Sequence, residues 1–287
     1  MQYNGLVCIP AFMHVKQQTI VSQLYGIRRE PMIRRSLVIS FLTLVVFSLQ
    51  ALAQSVEQLV SGHVEAIGGT TKLKALQSMK LSGKISMPTM LQNIPGASEP
   101  ESPVVLQVKK PNLVRMEVDV QGKPLVQAFD GEMAWGLRPG STEPDNLSDD
   151  EGGVGEMADL FLREISDLQG LLVDSKDKWK KVELLGKEDV EGVESYKLKL
   201  SPNDGFVRYL FLDTKNLYTT KITRPGSEFL METYYKDYKP LNGLLIPYAI
   251  ESKVDGNTFS KLTLEKAELD PVLDDALFKM PGNPPQN

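Results

Sequence analysis

The sequence predicts a mainly β (α+β) fold: a single curled antiparallel sheet of about eleven strands, an incomplete β-barrel, with two or three helices covering its concave face. Three observations lead there. From residue 79 onward apolar residues recur at a period of two, the signature of half-buried strands. Short turn signals punctuate the runs, at Gln121-Gly122, Asp130-Gly131, Glu191-Gly192, Asp204-Gly205, Asn242-Gly243 and Asp255-Gly256. Strands joined so tightly must be antiparallel, because a parallel partner needs a crossover of about a dozen residues or more. Finally, open twisted sheets rarely exceed about ten strands, so a meander of this length has to curl.

In chain order, residues 1–31 lack periodicity and precede a better start at Met32, so they are expected to be an N-terminal extension arising from a start called too early. Residues 32–53 read as a signal peptide. Arg34-Arg35 is the basic stretch, Leu37 to Leu49 the apolar run, and Ala51-Leu52-Ala53 sets small residues where cleavage after Ala53 requires them. That run is too short for the ~20 apolar residues of a membrane span.

Residues 54–287 then form a single domain. The leader carries Lys16, Arg28, Arg29, Arg34 and Arg35 against Glu30, so the formal charge of −5 for the whole chain becomes −9 from Gln54 onward. An acidic product of this kind is not expected to bind nucleic acid. Cys8 and His14 depart with the leader, leaving no thiol and one histidine, His63. A disulfide framework, a Cys/His zinc cluster and a lipid-attachment cysteine are thereby excluded. The product is expected to be a monomer in the periplasm.

Residues 55–67 place Val56, Leu59, Val60, Val64 and Ile67 at helical spacing, stopped by Gly68-Gly69, and a short helix over 71–77 follows. Strands are expected at about 79–88, 104–109, 113–121, 123–130, 132–138, 180–189, 194–201, 206–213, 217–224, 228–238, 244–254 and 258–268. Residues 89–103, rich in Pro, Ser and Gly, and the acidic, Gly-rich residues 140–154 read as loops. A helix over 155–168 is apolar around most of its circumference, which predicts burial against the sheet.

The chemistry on offer is narrow. His63 stands beside the apolar stripe of its helix with no nucleophile motif nearby. The acidic runs Asp149-Asp150-Glu151 and Asp274-Asp275 fall in expected loops, where a solvated run is commoner than a positioned acid and base. No catalytic residue, metal ligand set or cofactor site is expected, and an enzyme is not. The candidate ligand-binding wall is instead apolar: Val114, Met116, Val118, Phe129, Met133, Trp135, Leu137, Tyr209, Phe211, Tyr234 and Ile246, expected to line the concavity.

Three motifs occur in order: Lys109-Lys110-Pro111-Asn112-Leu113, then Asp130-Gly131 through Trp135 to Pro139, then Phe278-Lys279-Met280-Pro281. With the opening helix and the signal peptide, they resemble the LolA-like family of periplasmic lipoprotein carriers, including the broader group of outer-membrane lipoprotein-sorting proteins. The resemblance spans about residues 57–281. It implies an incomplete barrel of about eleven strands, with helices as a lid over an apolar cavity.

It also implies acyl chains of a lipoprotein or lipid as cargo, with an inner-membrane transporter and an outer-membrane acceptor as partners. In the family a basic residue before the proline ties the lid. Lys110 holds that place here, a departure because an ammonium lacks the planar fork of donors of arginine. Arg115 on the same strand is the substitute candidate, or else a partner for Glu117 or Asp119. The first functional expectation is a periplasmic carrier sheltering acyl chains. The alternative is an envelope-stress sensor or regulatory module that detects a lipid-bearing partner.

Overall fold

The computed structural model describes residues 55–88, 101–149, 153–203, 206–226 and 228–282. The expected extension, the signal peptide and its cleavage point, residues 89–100 of the first loop, Asp150-Glu151 and the turn at Asp204-Gly205 lie outside these residues. What is described belongs to one unit, Gln54–Asn287.

The period-two segments become strands β1 (Ser78–Ser86), β2 (Ser102–Lys109), β3 (Leu113–Val120), β4 (Lys123–Phe129), β5 (Ala134–Leu137), β6 (Asp145–Asn146), β7 (Lys181–Val190), β8 (Val193–Ser201), β9 (Arg208–Asp213), β10 (Thr219–Pro225), β11 (Leu230–Leu241), β12 (Leu244–Val254) and β13 (Asn257–Leu269). All thirteen join one antiparallel sheet in the order β6-β5-β4-β3-β2-β1-β13-β12-β11-β10-β9-β8-β7. The class is as the sequence predicts, with a somewhat larger strand number. The two-residue β6, inside the expected loop 140–154, is too short to show a period.

The hairpins follow from their turn residues. Gln121-Gly122, Glu191-Gly192, Asn242-Gly243 and Asp255-Gly256 all hold both residues at positive φ, between 49° and 88°. That conformation matches the twist of the flanking strands and favours a polar residue followed by Gly. The first and last strands, β1 and β13, close two meanders into one sheet. A bulge at Ser82/Gly83 bends that joint. Only glycine fits there, since a Cβ on Gly83 would stand 2.1 Å from the carbonyl oxygen of Thr263.

Among the described residues, four α-helices accompany the sheet: α1 (Val56–Ala66), α2 (Thr70–Ala75), α3 (Val154–Ile165) and α4 (Ser175–Lys178). Ser55 caps α1 in a reciprocal capping box with Gln58. The expected third helix ends three residues early, because Ser166 donates its hydroxyl to the Arg163 carbonyl at 2.8 Å and the chain turns. The inner face of the sheet meets α1, α2 and α3 in the main core, where Leu59, Leu73, Phe161 and Leu162 pack with Leu81, Leu106, Val114, Leu198 and Leu210. Each such side chain stabilises the fold by roughly 1.5–3 kcal/mol through burial. The outer face carries two smaller clusters, Val126-Ala128-Trp135 and Val190-Phe211-Tyr234.

Candidate functional site

The inner face is not filled throughout. A partly open cavity of about 230 Å³ lies between the sheet and the segment after α3, with walls from α1 (His63) and its C-cap Ile67, α2 (Leu73), Leu168 to Leu171 and six strands. Leu106 and Val108 come from β2, Leu210 from β9. These strands are six places apart in the sheet, about 29 Å if it were flat at ~4.8 Å per strand. Their meeting around one cavity shows that the sheet curls, as its strand number requires.

Several polar groups at the rim are already engaged, and most of the lining is apolar. Tyr238 donates its hydroxyl to the Thr219 carbonyl at 2.8 Å, and Tyr235 donates to Glu164 Oε1 at 3.3 Å. Burial pushes both phenols above their ordinary range, so they stay protonated and keep the proton they donate. Asp167 is paired with Lys178 at 2.6 Å. His63 is buried, its Nδ1 2.8 Å from the Leu217 carbonyl, and burial pushes the imidazole down, so the neutral ring donates from Nδ1. A larger surface groove of about 940 Å³ runs between α1 and residues 172–182. Glu57, Glu65, Asp174, Lys176 and Asp177 interrupt its wall, so it offers no continuous apolar surface.

Helix α3 is held over the sheet through its C-terminal half. Arg163 pairs with Asp159 at 2.7 Å and sits 4.4 Å above the Phe129 ring. Near its end, Glu164 accepts from the Arg224 guanidinium of β10, which also reaches the Leu160 carbonyl. Arg224 is 2% exposed and the Glu164 side chain 9%. A buried pair of this kind costs several kcal/mol in desolvation and contributes mainly orientation.

The candidate wall residues divide between the two faces. Ile246 lines the cavity. Val114, Met116, Val118 and Phe129 are in the inner core on β3 and β4. Met133 is half-buried in the turn between β4 and β5. Trp135 and Leu137 belong to the outer cluster over β4 and β5, and Tyr209, Phe211 and Tyr234 to the other outer cluster.

The reason for the outer placements is register. Phe129 pairs with Ala134, so Ala134 faces inward and Trp135 outward, and the turn at Asp130 to Met133 breaks the alternation that would have joined Phe129 to Trp135. On the outer face, Trp135 donates its indole N–H to the Phe278 carbonyl at 2.8 Å, and the C-terminal segment lies across it. On β9, Leu210 and Leu212 face inward, and Tyr209 and Phe211 outward.

The lid-control candidates also separate. Lys110 donates to the Lys74 carbonyl of α2 at 2.6 Å, one point charge on a helix end. Arg115 pairs with Glu117 at 2.7 Å on the outer face and reaches toward the Leu277 carbonyl, so its contact is with the C-terminal segment. Sequence reading missed Arg224, Glu164, Tyr235 and Tyr238. The signal for the first was present: Arg224 falls two residues after the inward Ile222, a charged residue at an apolar position of the strand period. Among the described residues no group of three or more His, Cys, Asp or Glu is placed to hold a metal ion, and no helix is long and apolar enough to cross a membrane.

No protein-family model matches the chain, and no curated protein matches it. Solved structures do. A DUF1329 family protein from Desulfovibrio piger is 14% identical, covers 79% of this chain and 98% of its own, and has a TM-score of 0.50. The likeness is one of fold. A LolA superfamily protein from Nitrosomonas europaea (15% identical, 77% and 96% covered, TM-score 0.49) is also similar. So is a Vibrio parahaemolyticus domain named for outer membrane lipoprotein sorting (13% identical, 75% and 95% covered, TM-score 0.49).

Proposed function

We propose that this protein is an acyl-chain-binding protein of the bacterial envelope, which shelters an apolar chain in the cavity between the curled sheet and its helices. The observation that carries the reading is the cavity itself: about 230 Å³ with an apolar wall drawn from both halves of the sheet and closed on one side by residues 164–171. Each methylene in water costs roughly 0.8 kcal/mol, so a 16-carbon chain carries about 12 kcal/mol of unfavourable hydration. Diffusion of such a chain between membranes needs a host. Binding without chemical change fits His63, whose Nδ1 is engaged by a backbone carbonyl and whose helix brings no nucleophile to it.

The signal-peptide pattern before Gln54 supports export, and transfer of lipoproteins or lipids between membranes is the role we infer. Native mass spectrometry of protein purified from its own envelope tests this, with co-purified lipid expected. Leu106→Trp, which fills the cavity from β2, should lower retention at least about five-fold with little loss of stability, because filling a void offsets the cost of added volume. Equal lipid occupancy in the two proteins would refute the assignment of the cavity as the site.

A further inference from the structure

Two arginines stand where the strand period calls for apolar residues. β9 and β10 pair Leu210 with Ile222 and Tyr209 with Thr223. The same register carried one residue further sets Arg208 opposite Arg224. Both follow the inward phase of their strands, one step (about 7 Å) beyond Leu210 and Ile222, which line the cavity. Like charges facing each other across a ladder oppose folding unless an anion lies between them.

Two carboxylates are near, and both are already engaged. Glu164 is engaged by Arg224 and by the Tyr235 hydroxyl, and Asp167 by Lys178. Among the described residues Arg208 forms no ion pair, and Glu164 and Asp167 act on it only at longer range. Its contact is the Trp179 ring, 5.2 Å away, and its buried Nε–H has no acceptor, nor has that of Arg224. Burial, then the charge of Arg224, hold the Arg208 guanidinium down to about 10, still charged at neutral pH. The group therefore carries one positive charge more than its acids balance, beside an apolar cavity.

We propose that Arg208 and Arg224 form a recognition site for the negatively charged head of the bound amphiphile, a carboxylate or phosphate oxyanion on a single acyl or alkyl chain, with the chain lying along Leu210 and Ile222. The inference rests on the acyl-binding reading and adds the class of head group to it. A guanidinium offers paired donors in a plane that matches a carboxylate or phosphate, and the low-dielectric surroundings strengthen the bond.

Calorimetric titration of the purified protein at pH 8 with four probes tests it: decanoate, decyl phosphate, decanol and inorganic phosphate. Decanoate and decyl phosphate should bind at least about ten-fold more tightly than decanol, the charged group accounting for the difference. Arg208→Gln should reduce that preference to within about two-fold and leave decanol binding unchanged, while Arg208→Lys retains part of it.

Because Arg208→Gln removes a like-charge opposition, its apo thermal midpoint should not fall, which separates loss of recognition from loss of fold. Equal affinity of decanoate and decanol in the unaltered protein, or a preference that survives Arg208→Gln, would overturn the proposal and leave the cavity reading standing. Inorganic phosphate binding as tightly as decyl phosphate would show a site for a free anion and overturn the amphiphile. Binding of none of the three decyl probes would overturn both readings.

Discussion

His63 shows how one side chain links the helical lid to the sheet. It donates from α1 to the Leu217 carbonyl just before β10, and its burial disfavours the imidazolium. A group whose folded pKa lies below its unfolded value makes the unfolded chain bind more protons, so stability rises with pH through that window. The contribution is fully present above the unfolded value of about 6.5 and is lost as pH falls through the depressed folded value. The thermal midpoint should therefore drop between pH 7 and pH 5, and in His63→Leu this part of the drop should vanish. Identical pH profiles for the two proteins would remove His63 from the account.

Glu164 is the second residue on which the lid depends. Glu164→Gln keeps shape but leaves the Arg224 guanidinium buried beside a neutral amide, a change that costs about 3–5 kcal/mol when a buried pair is broken. Urea unfolding should show that loss. Glu164→Leu with Arg224→Met should recover most of it, because the pair's desolvation disappears together with its attraction. A double variant as unstable as the single one would mean that the pair itself, and not the orphaned charge, sets the stability.

At the scale of elements, the C-terminal segment and β5 make a unit on the outer face. Trp135 donates to the Phe278 carbonyl, Lys109 to the Leu273 carbonyl and Asp275, and Arg115 reaches Leu277, so three basic or indole donors fasten one segment across β2, β3 and β5. Trp135→Phe removes one buried hydrogen bond and should cost about 1–3 kcal/mol, because the Phe278 carbonyl is left without its donor. It should leave lipid binding unchanged, since this cluster lies on the face away from the cavity. A Trp135→Phe protein that retains its fold but loses bound lipid would place the site on the outer face.

The same element shows what a sequence discloses and what it withholds. Turns were readable because Gln121-Gly122 or Asn242-Gly243 specify a positive-φ hairpin locally, and with them the antiparallel order follows. Which face each strand turns inward was not. Tyr209-Leu210-Phe211-Leu212 is apolar at every position, so period two gives no phase, and Tyr234-Tyr235 offers the same residue to both faces. Register is settled by partners distant in sequence, and one residue of slip exchanges the faces. The site was legible as an apolar hollow under helices. Of its arginines, Arg224 left a trace as a charge at an apolar position of its strand, but its pairing with Arg208 arises only when β9 and β10 are laid side by side.

For the whole molecule, the question is how a long chain gains access. A cavity of about 230 Å³ is below the ~300–1,000 Å³ of pockets that hold drug-sized ligands, so the closed form admits a short chain and a long one requires displacement of the lid. A second void of about 20 Å³ lies beside Phe161, Met231 and Leu262, and it shares Glu164, Ile165 and Tyr235 with the main cavity as a common partition. Moving the end of α3 away from Tyr235 joins the two. The hydrogen bond from Tyr235 to Glu164 opposes that motion.

Tyr235→Phe removes this bond at a net cost of about 1 kcal/mol, which corresponds to a roughly five-fold change in the open population. Stopped-flow association of 1-palmitoylglycerol should accordingly speed up about five-fold in Tyr235→Phe, while that of 1-decanoylglycerol, which fits more nearly within the closed form, should change by less than about two-fold. If both ligands accelerate alike, the partition formed by Glu164, Ile165 and Tyr235 does not control access, and the opening must occur at α1 and α2, where His63 and Lys110 make the corresponding contacts.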